Sequence, residues 1–132
     1  MTRLRLLGTI ALGSVGGMAS SAPVARPPAT FGACAFTTVK AVEQRLEDGA
    51  TGRPVPNSGS QVELADGVMG VSYDQVPAIA GSRRGDHAMV CLVDIPRHCP
   101  RSDGRGRWYT TTNLRTLESW TLPDAEHQCG GA

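Results

Sequence analysis

The sequence is short of the residues that build a large core or a strongly charged surface. Of its 132 residues only 40% are apolar and 5% are aromatic, whereas 16 are Gly and 9 are Pro. This composition predicts one small domain with a thin core and many loops, and it disfavours a large buried enzyme cleft. The 13 basic and 12 acidic residues nearly cancel, which excludes the positive field of a general nucleic-acid binder.

No apolar run is long enough to cross a membrane. The longest, residues 6–19, contains four glycines and falls short of the ~20 apolar residues that a spanning helix needs. Arg3 and Arg5 precede this run and small residues follow it, which is the pattern of a Sec-type secretory signal peptide. We expect cleavage after Ala19 or Ser21. The mature protein is then periplasmic or secreted and, having lost both arginines, carries 11 basic and 12 acidic residues.

The sequence divides into three parts. Residues 1–21 are the predicted signal peptide, and residues 22–33 form a leader rich in Pro and Ala that we expect to be extended. Residues 34–132 have the size of one small domain, which we predict to be a β domain. We find no internal repeat.

All four cysteines lie in the predicted β domain. They are Cys34, Cys91, Cys99 and Cys129, and an even number in a small exported domain predicts two disulfides. Three pairings are possible; we favour one bridge closing the short loop between Cys91 and Cys99, and another joining Cys34 to Cys129. Histidines lie near three of the cysteines, but no Cys-x-x-Cys or His-x-x-x-His spacing supports zinc or copper. No motif predicts a cofactor or a metal site.

Short apolar segments separated by turn signals predict the fold. Asp66-Gly67 separates two apolar segments and predicts a hairpin. Residues 87–95 are apolar on both faces, which is typical of a central strand, and we expect this strand to end at Pro96. Residues 38–48 allow a helix or a strand, and we favour a strand. The predicted fold is mainly β, a small disulfide-stapled antiparallel barrel or sandwich of five or six strands.

The last predicted hairpin joins residues 107–112 to residues 117–122. Asn113 suits the first position of the turn between them. Pairing Thr112 with Leu117 would place Tyr109 opposite Trp120, an aromatic pair that would favour this register. In the same register Trp108 faces the other side of the sheet.

The C-terminal half resembles a group of bacterial sequences. The residues are Tyr109 to Thr116 (YTTTNLRT), Ser119-Trp120-Thr121 and the closing Cys129-Gly130-Gly131-Ala132, with SRRGD at 82–86 in support. These segments resemble small exported proteins of alphaproteobacteria, over roughly the last 60–70 residues. The resemblance implies bacterial export and supplies no catalytic residue.

The densest charged segment, residues 97–107, is the predicted binding surface. Guanidinium groups bind carboxylate and phosphate through paired hydrogen bonds, and aromatic rings beside them can stack on a ligand. The competing interpretation is a solvated loop, because Ser102-Asp103-Gly104 is ordinary turn sequence and Asp103 offsets part of the charge. The candidate binding residues are Arg97, Arg101, Arg105, Arg107, Trp108, Tyr109 and Trp120.

The sequence favours binding over catalysis. It contains no nucleophile motif such as Gly-x-Ser-x-Gly, and the one acid-flanked histidine is His127, close to Asp124 and Glu126. We therefore predict a protein- or ligand-binding module of the cell envelope, of the kind that inhibits hydrolases, whose partner is an envelope protein or an acidic glycan and not nucleic acid. The alternatives are a small periplasmic hydrolase that uses His127 with a nearby acid, and a structural envelope protein.

Overall fold

A computed structural model describes residues 25–131. These residues form one six-stranded antiparallel sheet with the strand order β3-β2-β1-β4-β5-β6. The prediction of a small, mainly β, antiparallel barrel-like domain with two disulfides is confirmed. The elements are β1 (Cys34–Gln44), β2 (Ser60–Leu64), β3 (Met69–Ser72), α1 (Pro77–Ala80), β4 (His87–Asp94), β5 (Trp108–Asn113) and β6 (Ser119–Pro123).

The long strand β1 makes the sheet curl. Its first half pairs with β4, from Cys34 opposite Cys91 to Thr38 opposite His87. Its second half pairs with β2 on the other side, and the register is irregular between Val39 and Ala41. A strand that changes partners at a bulge bends and twists. The strand that we favoured for residues 38–48 is thus confirmed as far as Gln44.

The two edge strands of the curled sheet, β3 and β6, approach each other. Gly70 of β3 makes this possible, because a Cβ atom there would lie 3.0 Å from Val62 and 3.5 Å from Leu122 of β6. The short helix α1 packs against β2 and β6 at this side. Together these contacts give the sheet the shape of a half-barrel.

The core is formed by every second side chain along the strands, which points inward. Ala88, Val90 and Leu92 of β4 have no exposed surface, and β4 has a neighbour on each side, as predicted for the central strand. Its outward residues are less buried. The remaining core is supplied mainly by Val39, Val62, Leu64, Val68, Ile79, Tyr109 and Trp120.

The two hairpins test the turn predictions. The β2–β3 hairpin turns at Asp66-Gly67 as predicted, and Gly67 has φ of 92°, a conformation that glycine adopts without strain. In the β5–β6 hairpin the predicted register is wrong by two residues, because Thr112 pairs with Ser119 and Thr111 with Trp120. The turn is longer than predicted, with Leu117 at φ of 60°.

The favoured disulfide pairing is also wrong. The bridges join Cys34 to Cys91 and Cys99 to Cys129. Because β1 and β4 are neighbours, Cys34 and Cys91 lie directly opposite each other, with their Cα atoms 4.0 Å apart. The second bridge ties the loop after β4 to the C-terminal tail.

The predicted signal peptide, residues 1–21, lies outside the described residues. Of the leader, residues 25–33 are described and approach the sheet. Pro28 is buried, and the Tyr109 hydroxyl donates a hydrogen bond to its carbonyl oxygen at 3.3 Å. Gly32 donates a backbone hydrogen bond to Leu92 at 2.8 Å. Over residues 25–131 the structure contains no helix long and apolar enough to span a membrane.

Asp66, in the β2–β3 turn, is a buried carboxylate that is only partly satisfied. Its Oδ1 accepts a hydrogen bond from the Val68 amide at 3.1 Å, but its Oδ2 has no partner within residues 25–131. Burial raises the pKa of Asp66, because the charged form loses water. This carboxylate therefore lowers the stability of the fold increasingly as the pH rises past its unfolded pKa of about 3.9 towards its higher folded value.

We expect Asp66→Asn to be more stable than the parent protein by ~1 kcal/mol near pH 7, since an amide in this position carries no charge. The difference should shrink towards about pH 4, because the folded carboxyl, whose pKa is raised, takes up its proton before the unfolded one as the pH falls. Urea unfolding at both pH values measures it, with Asp74→Asn as the control because Asp74 is exposed. An equal gain at both pH values would contradict the explanation.

Candidate functional site

The structure does not gather the predicted arginines into one surface. Arg97 and Arg101 are exposed, and Arg107 is half-buried. Arg105 is held by Asp103, with its Nε and Nη2 each donating to one carboxylate oxygen at 2.9 Å, and Nη2 also donates to the Gly131 carbonyl at 3.2 Å. These bonds lower the pKa of Asp103 and raise that of Arg105. Arg105 is therefore engaged by an acid of its own loop.

Two of the three predicted contact aromatics lie in the core. Tyr109 is 3% exposed and Trp120 is 6% exposed, so neither ring can stack on a ligand. Burial raises the pKa of the Tyr109 hydroxyl. Trp108 is half-buried, on the side of β5 opposite to Tyr109. A domain with so few aromatic residues uses its largest side chains to fill the thin core.

The acids around His127 have other partners. Asp124 Oδ1 accepts hydrogen bonds from the backbone amides of Gly106 at 2.7 Å and Arg107 at 3.0 Å. Glu126 forms an ion pair with Arg45 at 2.9 Å. His127 itself is exposed. Both acids thus fasten the C-terminal tail to the sheet.

The cysteine sulfurs are all in disulfides. Within residues 25–131 no three His, Cys, Asp or Glu side chains converge as a set of metal ligands.

A groove of about 470 Å³ lies between the loop that precedes β4 and the β5–β6 turn. We call it the Arg115 groove. It lies at the end of the sheet where β4 begins and β5 ends. Its lining residues are Gly85, Asp86, His87, Leu114 and Arg115.

A buried polar network fixes the two loops that form the Arg115 groove. Its centre is Asn113, which has no exposed surface. The Asn113 amide donates to Ser82 Oγ at 2.9 Å and to Asp86 Oδ2 at 2.8 Å. Its carbonyl oxygen accepts from the backbone amides of Arg115 at 2.8 Å and Thr116 at 3.2 Å. Every polar atom of this side chain is therefore used, and the two loops are joined through it.

Arg115 is held rigidly at the edge of this network. Its Nε donates to Asp86 Oδ1 at 2.7 Å and its Nη2 donates to Asp86 Oδ2 at 2.9 Å. Nη2 also donates to the Gly81 carbonyl oxygen at 2.7 Å. Within residues 25–131, Nη1 donates no hydrogen bond. The Arg115 side chain is 41% exposed. The protein thus presents a guanidinium group in one orientation with two unused N–H donors.

The charges of this ion pair are stabilised by their surroundings. Hydrogen bonds from Arg115, then from Asn113, hold the pKa of Asp86 well below its usual range, and Asp86 raises that of Arg115. A carboxyl with a lowered folded pKa stabilises the fold above its unfolded pKa and loses this effect as the pH falls below about 4. Arg115 therefore stays charged and in place at neutral pH.

Sequence reasoning missed Ser82, Asp86 and Arg115 as members of a site. A signal was nevertheless present in the strand register. Ala88 pairs with Asn113, so extending this antiparallel pairing by two residues places Asp86 opposite Arg115. Opposite charges immediately outside two neighbouring strands therefore predict such an ion pair, once β4 and β5 are known to be neighbours.

The comparisons with known proteins do not add to this picture. No protein-family model matches the sequence, and no curated protein or solved structure matches the chain.

Proposed function

We propose that the chain is exported through a cleaved N-terminal signal peptide and acts in the cell envelope as a binding module, in the manner of small β-domain inhibitors. The observation that carries this proposal is the rigid presentation of Arg115, whose unused donors face no acceptor within residues 25–131. A fold that fixes a charged group so firmly at an open groove is preorganised for recognition. The two disulfides fit an oxidising compartment.

The export part of the proposal predicts the mass of the mature protein. The full chain, produced in a bacterium with a periplasm and released by osmotic shock, should lack its first 19 or 21 residues. It should gain four alkyl groups only after reduction, because two disulfides protect the four cysteines. Intact-mass spectrometry measures both quantities. An uncleaved chain in the cytoplasmic fraction with four free thiols would contradict export.

The binding part is tested by co-purification from the native cell envelope with the affinity-tagged, oxidised protein. We expect one partner in near-stoichiometric amount. The matched control is the same protein after reduction and alkylation, which removes the disulfides and should lose the partner. Recovery of the same proteins in equal amounts from both columns, or of none, would contradict a binding function.

A further inference from the structure

We infer that the Arg115 groove binds an acidic peptide segment of an envelope protein. This inference rests on the proposed function as a binding module and names what the module recognises. It differs from the sequence prediction, which placed the contact in residues 97–107.

The geometry of Arg115 suits a carboxylate ligand. A flexible surface arginine loses side-chain entropy when it binds a carboxylate. Arg115 has already lost this freedom, because Asp86 and Gly81 hold Nε and Nη2. The two hydrogens on Nη1 remain, and they suit a carboxylate oxygen. Asp86 is fully occupied by donors, since Asn113 and the Arg83 amide also bond to its Oδ2.

The charges around the Arg115 groove favour an anionic ligand. Arg83 and Arg84 directly precede Gly85, which lines the groove, and neither takes part in the four ion pairs found within residues 25–131. The nearby acids are Asp86 and Glu118, whose Oε2 would lie 3.5 Å from a Cβ on Gly81. The loop before β4 (residues 81–86) and the β5–β6 turn (residues 114–118) thus hold three arginines and two acids, a net charge of +1, in which Arg115 and Asp86 neutralise each other. The groove is locally positive on a mature chain that is faintly acidic overall, so it attracts an anionic ligand.

The lining of the Arg115 groove favours a peptide over a glycan. Leu114, which is 40% exposed, supplies an apolar wall beside Arg115. A volume of about 470 Å³ exceeds what one carboxylate needs, so neighbouring apolar groups of the ligand can enter with it. Within residues 25–131 no Phe, Tyr or Trp lines the groove, so it lacks the large aromatic face on which sugar rings stack. Alternating acidic and apolar side chains of a peptide fit these features best.

The experiment measures fluorescence anisotropy of a labelled peptide of alternating glutamate and leucine with the full mature protein. The neutral comparison is the same peptide with glutamine in place of glutamate, and the glycan comparison is a labelled oligo-uronate. We expect the acidic peptide to bind at least tenfold more tightly than either. Its affinity should fall as salt is added, because exposed charges are screened.

Two double variants locate the contact. Arg83→Ala/Arg84→Ala removes two charges beside the Arg115 groove, whereas Arg97→Ala/Arg101→Ala removes two from the loop that the sequence predicted. Of the first pair, only backbone atoms of Arg83 bond to Asp86 of the network, so this variant should fold normally. We expect about a tenfold loss of affinity in the first variant and less than a twofold loss in the second. Equal losses, no binding of the acidic peptide, or tighter binding of the uronate would overturn the inference.

The same variants separate this inference from the proposed function. If the envelope partner is captured equally well by Arg83→Ala/Arg84→Ala and by the parent protein, the domain is a binding module but the Arg115 groove is not its contact. If the parent protein captures no partner at all, the proposed function itself fails.

Discussion

Replacing Cys34 and Cys91 by serine should lower the free energy of unfolding by about 4 kcal/mol. The bridge joins residues 57 apart in the sequence, and a crosslink that closes so long a loop strongly restricts the unfolded chain. It also joins the two central strands, β1 and β4, at directly opposite positions. Urea unfolding of the oxidised parent protein and of the variant, monitored by tryptophan fluorescence, measures the loss.

The second disulfide supplies the matched control. Cys99 and Cys129 are 30 residues apart and lie outside the strands. Chain entropy alone predicts almost as large an effect for this bridge, ~3.7 kcal/mol. We expect less than about 2 kcal/mol, since opening the peripheral loop and tail leaves the sheet paired. A loss in Cys99→Ser/Cys129→Ser that matches or exceeds the loss in the first variant would contradict this account.

The fold class was predictable because strand and turn signals are local. Residues 87–95 and the Asp66-Gly67 turn each contain enough information within a few residues to indicate a strand or a hairpin. The β5–β6 register was not predictable in the same way. A slip of two residues leaves every side chain on its face, so the apolar pattern cannot detect it. The deciding feature was the positive φ of Leu117, which nothing in the sequence indicates, because leucine rarely adopts it.

The disulfide pairing and the site depend on which strands are neighbours. Cys34 meets Cys91 because β1 lies beside β4 in the sheet, although two strands and a helix separate them in sequence. The Arg115 groove depends on a different pair: β4 and β5 follow each other in the chain and lie antiparallel, which brings the loop before β4 to the β5–β6 turn. Sequence reasoning proposed arginine as the binding residue type, as does the inference drawn for the Arg115 groove. It selected residues 97–107 because charge density along the chain is visible, whereas proximity in space is not.

The aromatic residues illustrate a conflict that composition could have resolved. Tyr109 and Trp120 were predicted to lie opposite each other in the last hairpin and also to contact a ligand. They are not opposite, because Tyr109 pairs with Leu122 and Trp120 with Thr111, but both face the core. With 5% aromatic residues in the chain, removing these rings from the core would leave too little apolar area to stabilise the sheet.

Asn113→Ala is the second substitution with a large expected effect, a loss of about 3 kcal/mol in the free energy of unfolding. The parent side chain has no exposed surface and makes four hydrogen bonds. Alanine would remove the donor to the buried Ser82 and Asp86 oxygens and leave two part-buried backbone amides without their acceptor. Asp86 would keep its ion pair with Arg115 but lose the hydrogen bond from Asn113. Urea unfolding near pH 7 gives the value.

Thr112→Ala is the matched control for this substitution. Thr112 is the preceding residue of β5, and its hydroxyl is hydrogen-bonded to that of Ser119 at 2.8 Å at an exposed position. Water can replace this bond, so we expect a loss below about 1 kcal/mol. A similar loss in both variants would mean that the buried network contributes no more than an ordinary surface hydrogen bond. A much larger loss in Asn113→Ala means that the network, and not local strand propensity, joins the two loops and holds Arg115 at the groove.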